Sequence, residues 1–187
     1  MNFDRLLGQL GPADRIPPLE AWQPALSGDM DLCIAADGRW WHEGEPISRP
    51  KLVRLLATLL RRDPEGYCLV TPVERWRIQV EDLPLVIVEA DLEGGDWWLT
   101  TQLGDRVRLD GEHPLRVTQT PQGEWVPEVP IRYGLSARLN RNVYYQLVEA
   151  ATLRAHDKGS SELGVESAGR WHPVGRMDDD TSSSEAL

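Results

Sequence analysis

The chain has 187 residues, a length that suits one domain or two small ones. Thirty Asp and Glu residues against twenty Lys and Arg residues give a formal charge of −10. This acidity excludes a nonspecific nucleic-acid binder, which needs cations to displace the counterions of phosphate. A hydrophobic fraction of 41% with 27% charged residues is typical of a globular protein.

Residues 1–6 have no basic stretch followed by an apolar core, so they predict no secretory signal. The longest aliphatic run, residues 85–88, is far shorter than the roughly 20 residues that a spanning helix needs, so we expect no membrane insertion. Cys33 and Cys68 lie in separate apolar segments without the spacing of a zinc site. We expect a cytoplasmic protein with two reduced thiols, no metal and no cofactor, and a redox pair is the alternative.

Residues 1–20 are rich in Gly and Pro and predict an irregular arm, and residues 21–82 predict a first α+β subdomain. There, a strand at residues 31–35 leads into an Asp37-Gly38 hairpin turn. Ser48 is expected to cap a helix that has Pro50 in its first turn. The apolar face predicted for this helix comprises Leu52, Leu55, Leu56, Leu59 and Leu60, with Arg54, Arg61 and Arg62 off that face.

Residues 83–177 predict a second subdomain, and residues 178–187 predict a disordered acidic tail. A second helix is expected to begin after Asn140, with an apolar stripe formed by Tyr144, Leu147, Val148 and Ala151. Over the whole chain, strands are predicted at residues 67–71, 76–80, 85–90, 97–102, 106–109, 115–119, 162–165 and 170–174.

The two subdomains share a pattern that indicates an internal duplication. Residues 38–47 and 123–131 each run from Gly-x-Trp through a polar stretch to Pro-Ile, and a helix follows each of them. Arg49 and Arg141 each follow a cap residue at the predicted helix start. The fold class is therefore α+β, with duplicated strand-turn-strand-helix-strand-strand units and antiparallel sheets.

Several stretches of the chain resemble a bacterial family, the domain-of-unknown-function family 1285. The resemblance covers roughly residues 17–176. It implies two related α+β subdomains, the C-terminal one a roll similar to pleckstrin-homology domains, with a site for a nucleotide-like ligand between them and a signalling role. It implies no catalytic residues. The stretches that carry it are GRWWHEGEPISR (38–49), LVTPVE (69–74), IQVED (78–82), RYGLSAR (132–138) and VYYQLV (143–148).

Arg49 and Arg141 stand at the wrong end of a helix for a cation, because the N-terminus of a helix is already positive. Each is therefore expected either to pair with a carboxylate or to help bind an anion. The carboxylates considered for such an ion pair are Glu43, Glu74, Glu81 and Asp82, and the further cations considered for an anion site are Arg132 and Arg138. The complete ligand-site hypothesis comprises Trp41, His42, Glu43, Arg49, Thr71, Glu74, Arg138, Arg141 and Tyr144.

The tryptophans suggest both a core and a surface role. Trp40 and Trp125 occupy equivalent places in the repeat, so both are expected in the core. The doublets Trp40-Trp41 and Trp97-Trp98 place one ring of each pair on the opposite face of a strand, where it faces solvent, a cleft or a partner.

Three functions are compatible with these residues. The first is a non-enzymatic protein that binds a small anionic or nucleotide-like ligand at the subdomain interface. The second is an adaptor that binds a protein partner through an exposed Trp-bearing sheet face. The third is a hydrolase that uses His42 and Glu43. The His-Glu-Gly-Glu stretch lacks the second His of a zinc protease, because Pro46 stands at that position.

Overall fold

The computed structural model describes residues 15–155 and 160–178, and β-strands dominate this part of the chain. The outer parts of the predicted arm (residues 1–14) and tail (residues 179–187) lie outside the described residues. The helices are α1 (Pro50–Thr58) and α2 (Arg141–Ala150). The strands before α1 are β1 (Leu26–Ile34), β2 (Trp40–His42) and β3 (Glu45–Pro46), and those directly after it are β4 (Leu60–Asp63), β5 (Gly66–Val70) and β6 (Arg75–Val80). The strands that follow are β7 (Leu85–Glu93), β8 (Asp96–Thr101), β9 (Arg106–Arg108), β10 (Arg116–Gln119), β11 (Trp125–Arg132), β12 (Leu135–Leu139), β13 (Thr152–Ala155), β14 (Ser160–Ser167) and β15 (Arg170–Asp178).

The strands form three sheets. The first has the order β3-β2-β1-β6-β5-β4 and is mixed, because β1 and β6 run parallel while the other described pairs are antiparallel. The second has the order β10-β11-β12-β7-β8-β9, and one of the sheets is curled into a half-barrel. The third is the antiparallel sheet β13-β14-β15. The predicted α+β class is thus confirmed in the form of a β-rich fold with two helices, whereas the expectation of antiparallel sheets is wrong for the first sheet, because β1 and β6 pair in parallel.

The chain divides into two compact units. The first contains Met1–Val86 and Ile131–Ala137, and the second contains Ile87–Pro130 and Arg138–Leu187. The β11–β12 turn therefore groups with the first unit, whereas the sequence predicts a single boundary between residues 82 and 83. No helix in residues 15–155 and 160–178 is long and apolar enough to cross a membrane.

Helix α1 is shorter than its leucine pattern predicts. It ends at Thr58, and Leu60 is the first residue of β4, where it pairs with Leu69 of β5. The amide of Val70 also donates to the carbonyl of Leu59. The prediction that Leu60 continues the helix is wrong. The backbone N–H and C=O groups of this segment are satisfied by pairing with β5 instead of by a further helical turn.

Arg61 is also misplaced by the sequence pattern. It was expected on the solvated side of the helix end, but it lies in β4 with 6% of its surface exposed. Its neighbour Arg62 is exposed and stacks over the Tyr67 ring at 5.4 Å. Alternation along a strand places these adjacent side chains on opposite faces, which a helical interpretation does not produce.

The buried faces of both helices follow the predicted spacing more closely. In α1, Leu56 and Ala57 are buried, and Leu52 and Leu55 are half-buried. In α2, Leu147 is buried, as is Val143, which lies one position before the predicted stripe. Burial of each such side chain stabilises the fold by roughly 1.5–3 kcal/mol.

The tryptophans divide differently from the repeat-based expectation. Trp40 is 2% exposed and belongs to the core, but Trp125 is 66% exposed. Trp125 is the first residue of β11 and pairs with Gln119, the last residue of β10, so it lies beyond the end of the buried row. The prediction that both rings are core is therefore wrong for Trp125. The opposite orientation within the doublets is confirmed, since Trp97 is buried and Trp98 half-buried.

Candidate functional site

The start of α1 carries an exposed group of cations. Arg49 is the N-cap by backbone geometry, and its carbonyl accepts the amides of Leu52 and Val53 at 3.0 and 3.2 Å. The predicted cap at Ser48 is wrong, because no side chain caps this helix. The side chains of Arg49, Lys51 and Arg54 are exposed, and the first turn contains no acidic residue.

The start of α2 is built in another way. The Asn140 side chain accepts the Val143 amide at 2.8 Å, which confirms the predicted cap, and its own amide donates to the carbonyl of Ile87 at 3.0 Å. Arg141 is therefore the first helical residue, whereas Arg49 is an N-cap. The two arginines are one helix position apart, so the predicted equivalence of Arg49 and Arg141 is wrong at the level of the helix register.

The expected ion pairs of these arginines are not formed within residues 15–155 and 160–178. None of the described salt bridges includes Arg49 or Arg141. Both side chains are exposed. Neither arginine is thus neutralised by the described carboxylates, and the ion-pair alternative loses its support.

The β2–β3 hairpin positions Trp41, His42 and Glu43. The guanidinium of Arg39 lies 5.7 Å from the centre of the Trp41 ring, so the half-buried ring is partly covered by a cation. The Nδ1 atom of His42 lies 2.7 Å from the carbonyl oxygen of Asp31, to which it donates. Glu43 is exposed in the hairpin turn with a φ of 51°. The contact of His42 supports a role in holding the hairpin against β1 more than a role in proton transfer.

Thr71 and Glu74 form a turn between β5 and β6. The buried Thr71 hydroxyl accepts the amide of Glu74 at 3.0 Å, and the Thr71 amide donates to the carbonyl of Glu74 at 2.9 Å. The Glu74 carboxylate accepts a bond from the indole nitrogen of Trp76 at 3.3 Å. These predicted ligand-site residues have structural partners in the turn.

Arg138 and Arg132 are likewise engaged inside the protein. Arg138 is 8% exposed, and its Nη1 donates to the Thr118 hydroxyl and the Val126 carbonyl at 2.8 Å each. Arg132 donates from Nη2 to the Ala57 carbonyl at 3.1 Å, at the C-terminal end of α1, where a cation is favourable. Both guanidinium groups therefore have partners inside the protein, and the anion-site hypothesis requires cations without such partners.

The nine predicted ligand-site residues are distributed over both units. Six belong to the first unit: Trp41, His42, Glu43, Arg49, Thr71 and Glu74. Three belong to the second unit: Arg138, Arg141 and Tyr144, of which Tyr144 is half-buried with its ring 5.7 Å from that of Tyr145. Among them, Arg49 and Arg141 are exposed cations that make no ion pair with the described carboxylates.

A buried charge cluster in the first unit was missed at the sequence level. Asp63 accepts bonds from Nε and Nη2 of Arg61 at 2.7 and 3.0 Å and from Nη1 of Arg75 at 2.9 Å. Burial alone would raise the pKa of Asp63, but the bonds from Arg61 and Arg75 outweigh it and hold that pKa below its usual value. The sequence does carry a signal for this cluster: Arg61 and Asp63 alternate in charge, and a strand rich in Arg, residues 75–80, follows them.

The second unit contains a buried histidine that the sequence did not single out. His172 is 1% exposed, and its Nδ1 accepts the amide of Leu115 at 3.4 Å while Nε2 donates to the carbonyl of Ser167 at 3.3 Å. Burial lowers the pKa of His172. The hydroxyl of Ser167 accepts the amide of Trp97 at 2.9 Å, and the two ring nitrogens of His172 contact the backbone of Leu115 and of Ser167, so the described bonds do not pair this hydroxyl with the histidine. Within the described residues no group of His, Cys, Asp or Glu could hold a metal ion.

Comparisons with known proteins agree with this architecture. Residues 17–83 match the domain of unknown function DUF1285, N-terminal domain, and residues 84–174 match the C-terminal domain of the same family. A crystal structure of a DUF1285 family protein from Silicibacter pomeroyi DSS-3 is 35% identical, with a TM-score of 0.78 over 86% of this chain and 88% of that chain. A DUF1285 family protein from Shewanella baltica OS155 is 28% identical, with a TM-score of 0.53 over 64% of this chain and 91% of that one.

The comparison with functionally curated proteins gives no match. The two family models together cover most of the sequence, and both solved structures carry the same family description. The resemblance identified from residues 38–49 and 132–138 is therefore confirmed. The chain belongs to the DUF1285 family of proteins of unknown function.

Proposed function

We propose that the chain is a non-enzymatic protein that binds a small anionic, nucleotide-like ligand, and that the start of α1 is the ligand's first contact. The observation that carries this proposal is the cationic turn, which we define as Arg49, Lys51 and Arg54. All three side chains are exposed and make no ion pair with residues 15–155 or 160–178, although the chain as a whole has a charge of −10.

Electrostatics favour an anion at this place. The cationic turn coincides with the positive end of the α1 dipole, and each like charge there costs stability of about 0.3–1 kcal/mol when it is not compensated. A bound phosphate or carboxylate would remove that repulsion. Long-range attraction of an anionic ligand would depend on such a local group of cations, since the chain as a whole carries an excess of acidic residues.

Side chains rather than backbone amides would hold this ligand. Pro50 has no amide hydrogen, and the amide of Leu52 already donates to the carbonyl of Arg49. Lys51 therefore provides the remaining amide of the first turn. A site formed by exposed Arg and Lys side chains is screened by salt, so affinity should fall as ionic strength rises.

Amine footprinting tests this proposal directly, because Lys51 and Lys158 are the two lysines of the sequence. The protein is acetylated with a limiting amount of reagent, with and without pyrophosphate, ATP or inorganic phosphate, and adenosine serves as the uncharged probe. We expect pyrophosphate and ATP to protect Lys51 but not Lys158, and adenosine to protect neither. Absence of protection at Lys51 by every phosphate-bearing probe would contradict the proposal.

Two matched variants separate the site from general charge. Arg54→Gln removes one cation of the turn, and Arg116→Gln removes an exposed arginine on β10 in the second unit. We expect the first to weaken calorimetric binding of the probe about tenfold, the effect of one lost charge-assisted bond. The second should leave binding unchanged. Equal losses of affinity in both variants would show that the loss comes from the change in net charge and would contradict a site at the cationic turn.

We further propose that the two subdomains are duplicated and that the C-terminal one resembles a pleckstrin-homology roll. One observation supports duplication: the strands β1–β3 directly precede α1 and β4–β6 follow it, as β10–β12 directly precede α2 and β13–β15 follow it. The curled sheet supports the roll. Arg141 is exposed at the start of α2 and makes no described ion pair, so it marks a second and weaker anion contact, and Arg141→Gln should reduce ligand stoichiometry rather than affinity at Lys51.

A second function has a separate observation in its favour. Trp125 is 66% exposed, whereas Trp98 is half-buried with the Arg106 guanidinium 4.8 Å from its ring centre. An exposed Trp is the residue type that most often anchors a protein partner. This reading moves the proposed adaptor surface from Trp98 to Trp125. Affinity capture from a bacterial lysate tests this adaptor surface. We expect the wild type and Leu92→Ala to capture a protein that Trp125→Ala does not capture.

A cytoplasmic location and a signalling role complete the proposal. Both rest on the sequence and on the family resemblance. Fractionation of cells that produce the tagged chain tests the first. The signalling role is tested by capturing a protein partner with pyrophosphate or ATP present and absent. A signalling protein should bind its partner with a different affinity once its ligand is bound.

A further inference from the structure

A strap formed by residues 17–23 lies over the polar face of the first sheet, and we propose that it opens independently of the rest of the first unit. Arg61 holds its backbone: Nη1 donates to the carbonyl oxygen of Leu19 and to that of Trp22, the latter at 2.9 Å. The Tyr133 hydroxyl donates to the carbonyl of Pro17 at 3.3 Å. Opening of the strap does not depend on the proposed ligand.

The bonds that hold the strap are separate from those that hold the sheet. Arg61 uses Nε and Nη2 for Asp63, and Asp63 also accepts a bond from Arg75, so three charged groups remain paired without the strap. Nη1 alone reaches across to the strap. Release of the two carbonyl oxygens therefore leaves β4, β5 and β6 intact.

The strap itself has few buried contacts. Leu19 is fully buried and Pro17 and Trp22 are half-buried, but Glu20, Ala21 and Gln23 are exposed, and the strap contributes no strand to a sheet. Its backbone forms a single short 3-10 turn, Leu19–Ala21. A segment with one buried side chain and a few hydrogen bonds lies at the low end of local stability, where opening occurs without global unfolding.

Cys68 is a built-in reporter of the open state. It lies directly opposite Arg61 in the β4–β5 ladder, so its thiol is on the same sheet face as the Arg61 side chain that binds the strap. Cys68 is fully buried, and its Sγ lies 3.8 Å from the carbonyl oxygen of Gly66. Cys33 is half-buried on β1 and provides an internal reference in the same unit.

Iodoacetamide alkylation of the full chain tests whether the strap opens independently. Mass spectrometry follows the modification of each cysteine at a series of urea concentrations below the unfolding midpoint. Tyr133→Phe removes the bond to Pro17 with little change of shape. We expect it to speed modification of Cys68 about fivefold, the shift that one lost hydrogen bond produces, with no change at Cys33. Cys68 should also show a much weaker urea dependence than global unfolding, because a small segment exposes little surface.

Two further variants guard the test. Arg61→Lys keeps the charge but loses the planar fork and should speed Cys68 modification further. Tyr145→Phe, a change on exposed α2, should alter neither cysteine. The proposal is overturned if Cys68 in wild type and Tyr133→Phe reacts only with the urea dependence of global unfolding, since the strap would then unfold with the whole unit. Failure of the phosphate probes to bind would leave this result unaffected.

Discussion

The Nδ1 atom of His172 accepts a hydrogen bond from the backbone amide of Leu115 at 3.4 Å, so the buried ring is held in its neutral form. A proton on Nδ1 would abolish that bond and place a charge among buried groups. Burial accordingly lowers the pKa of His172 from its ordinary value of 6.5, while the hydrogen bond to the Ser167 carbonyl and the nearby Asp110 oppose this effect and Arg170 reinforces it.

The first prediction concerns stability at mildly acidic pH. Because the folded-state pKa of His172 is lowered, the unfolded chain binds a proton below about pH 6.5 that the folded chain does not, and the free energy of unfolding falls as pH decreases. The slope from this residue is at most about 1.4 kcal/mol per pH unit, and above pH 6.5 it vanishes. Urea unfolding from pH 7.5 to 5.0 measures it.

His172→Gln is the matched variant, since an amide can donate and accept without titrating. It should flatten the stability profile between pH 6.5 and 5.0 while leaving later acid unfolding by carboxylates in place. An unchanged slope in this variant would assign the pH dependence to other groups.

The second prediction compares two ion pairs of the first sheet. Asp63→Asn leaves Arg61 and Arg75 without the shared carboxylate at a site where the side chains of Arg61 and Asp63 are 7% and 10% exposed. We expect a loss of about 3 kcal/mol, because an uncompensated buried charge remains. Asp29→Asn breaks the exposed pair with Arg77 and should cost less than about 1 kcal/mol. Denaturant titration of both variants measures the difference, and equal losses would refute the assigned role of burial.

The third prediction concerns Trp40. Its indole nitrogen is buried and has no hydrogen-bond partner among the described residues. Such an orphan donor costs about 1–3 kcal/mol, which offsets the loss of packing when the ring becomes smaller. Trp40→Phe should therefore change stability by less than about 1 kcal/mol. Leu69→Ala, at a fully buried site of the same sheet, should cost about 2–5 kcal/mol and calibrates the measurement.

The fourth prediction concerns Gly164 in β14. A Cβ atom there would lie 2.6 Å from the carbonyl oxygen of His172 and 2.6 Å from the Trp171 ring, so the backbone must shift to admit it. We expect Gly164→Ala to cost about 1–3 kcal/mol or more. Gly175→Ala, in the adjacent β15, meets only the Tyr144 hydroxyl at 3.8 Å and should cost less than about 0.5 kcal/mol. Thermal unfolding of both variants distinguishes a steric clash at Gly164 from the effect of replacing a glycine by alanine in any strand.

Local patterns predicted those features that depend on neighbours in sequence. The Asn140 cap, the hairpin turns at Gly38 and Gly123 and the opposite orientation of Trp97 and Trp98 all follow from the chemistry of a few consecutive residues. The family was predictable for the same reason, because its signature consists of short continuous stretches.

The features that were mispredicted depend on pairing between distant segments. Leu60 and Arg61 continue a helical pattern, yet β5 captures them as β4, and Arg61 then becomes buried against Asp63 and the strap. Trp125 matches Trp40 in the repeat, but its place at the end of β11 leaves it exposed.

Composition and local sequence thus determined that this is an acidic, globular, β-rich α+β protein of a particular family with arginines at two helix starts. Tertiary structure decided which arginines remain available, because Arg138 and Arg132 find backbone and hydroxyl partners far away in sequence, whereas Arg49 and Arg141 make no ion pair with the described residues. The physical reason is that a buried guanidinium must satisfy its donors. Which acceptors lie within reach is a property of the assembled sheets and not of the neighbouring residues.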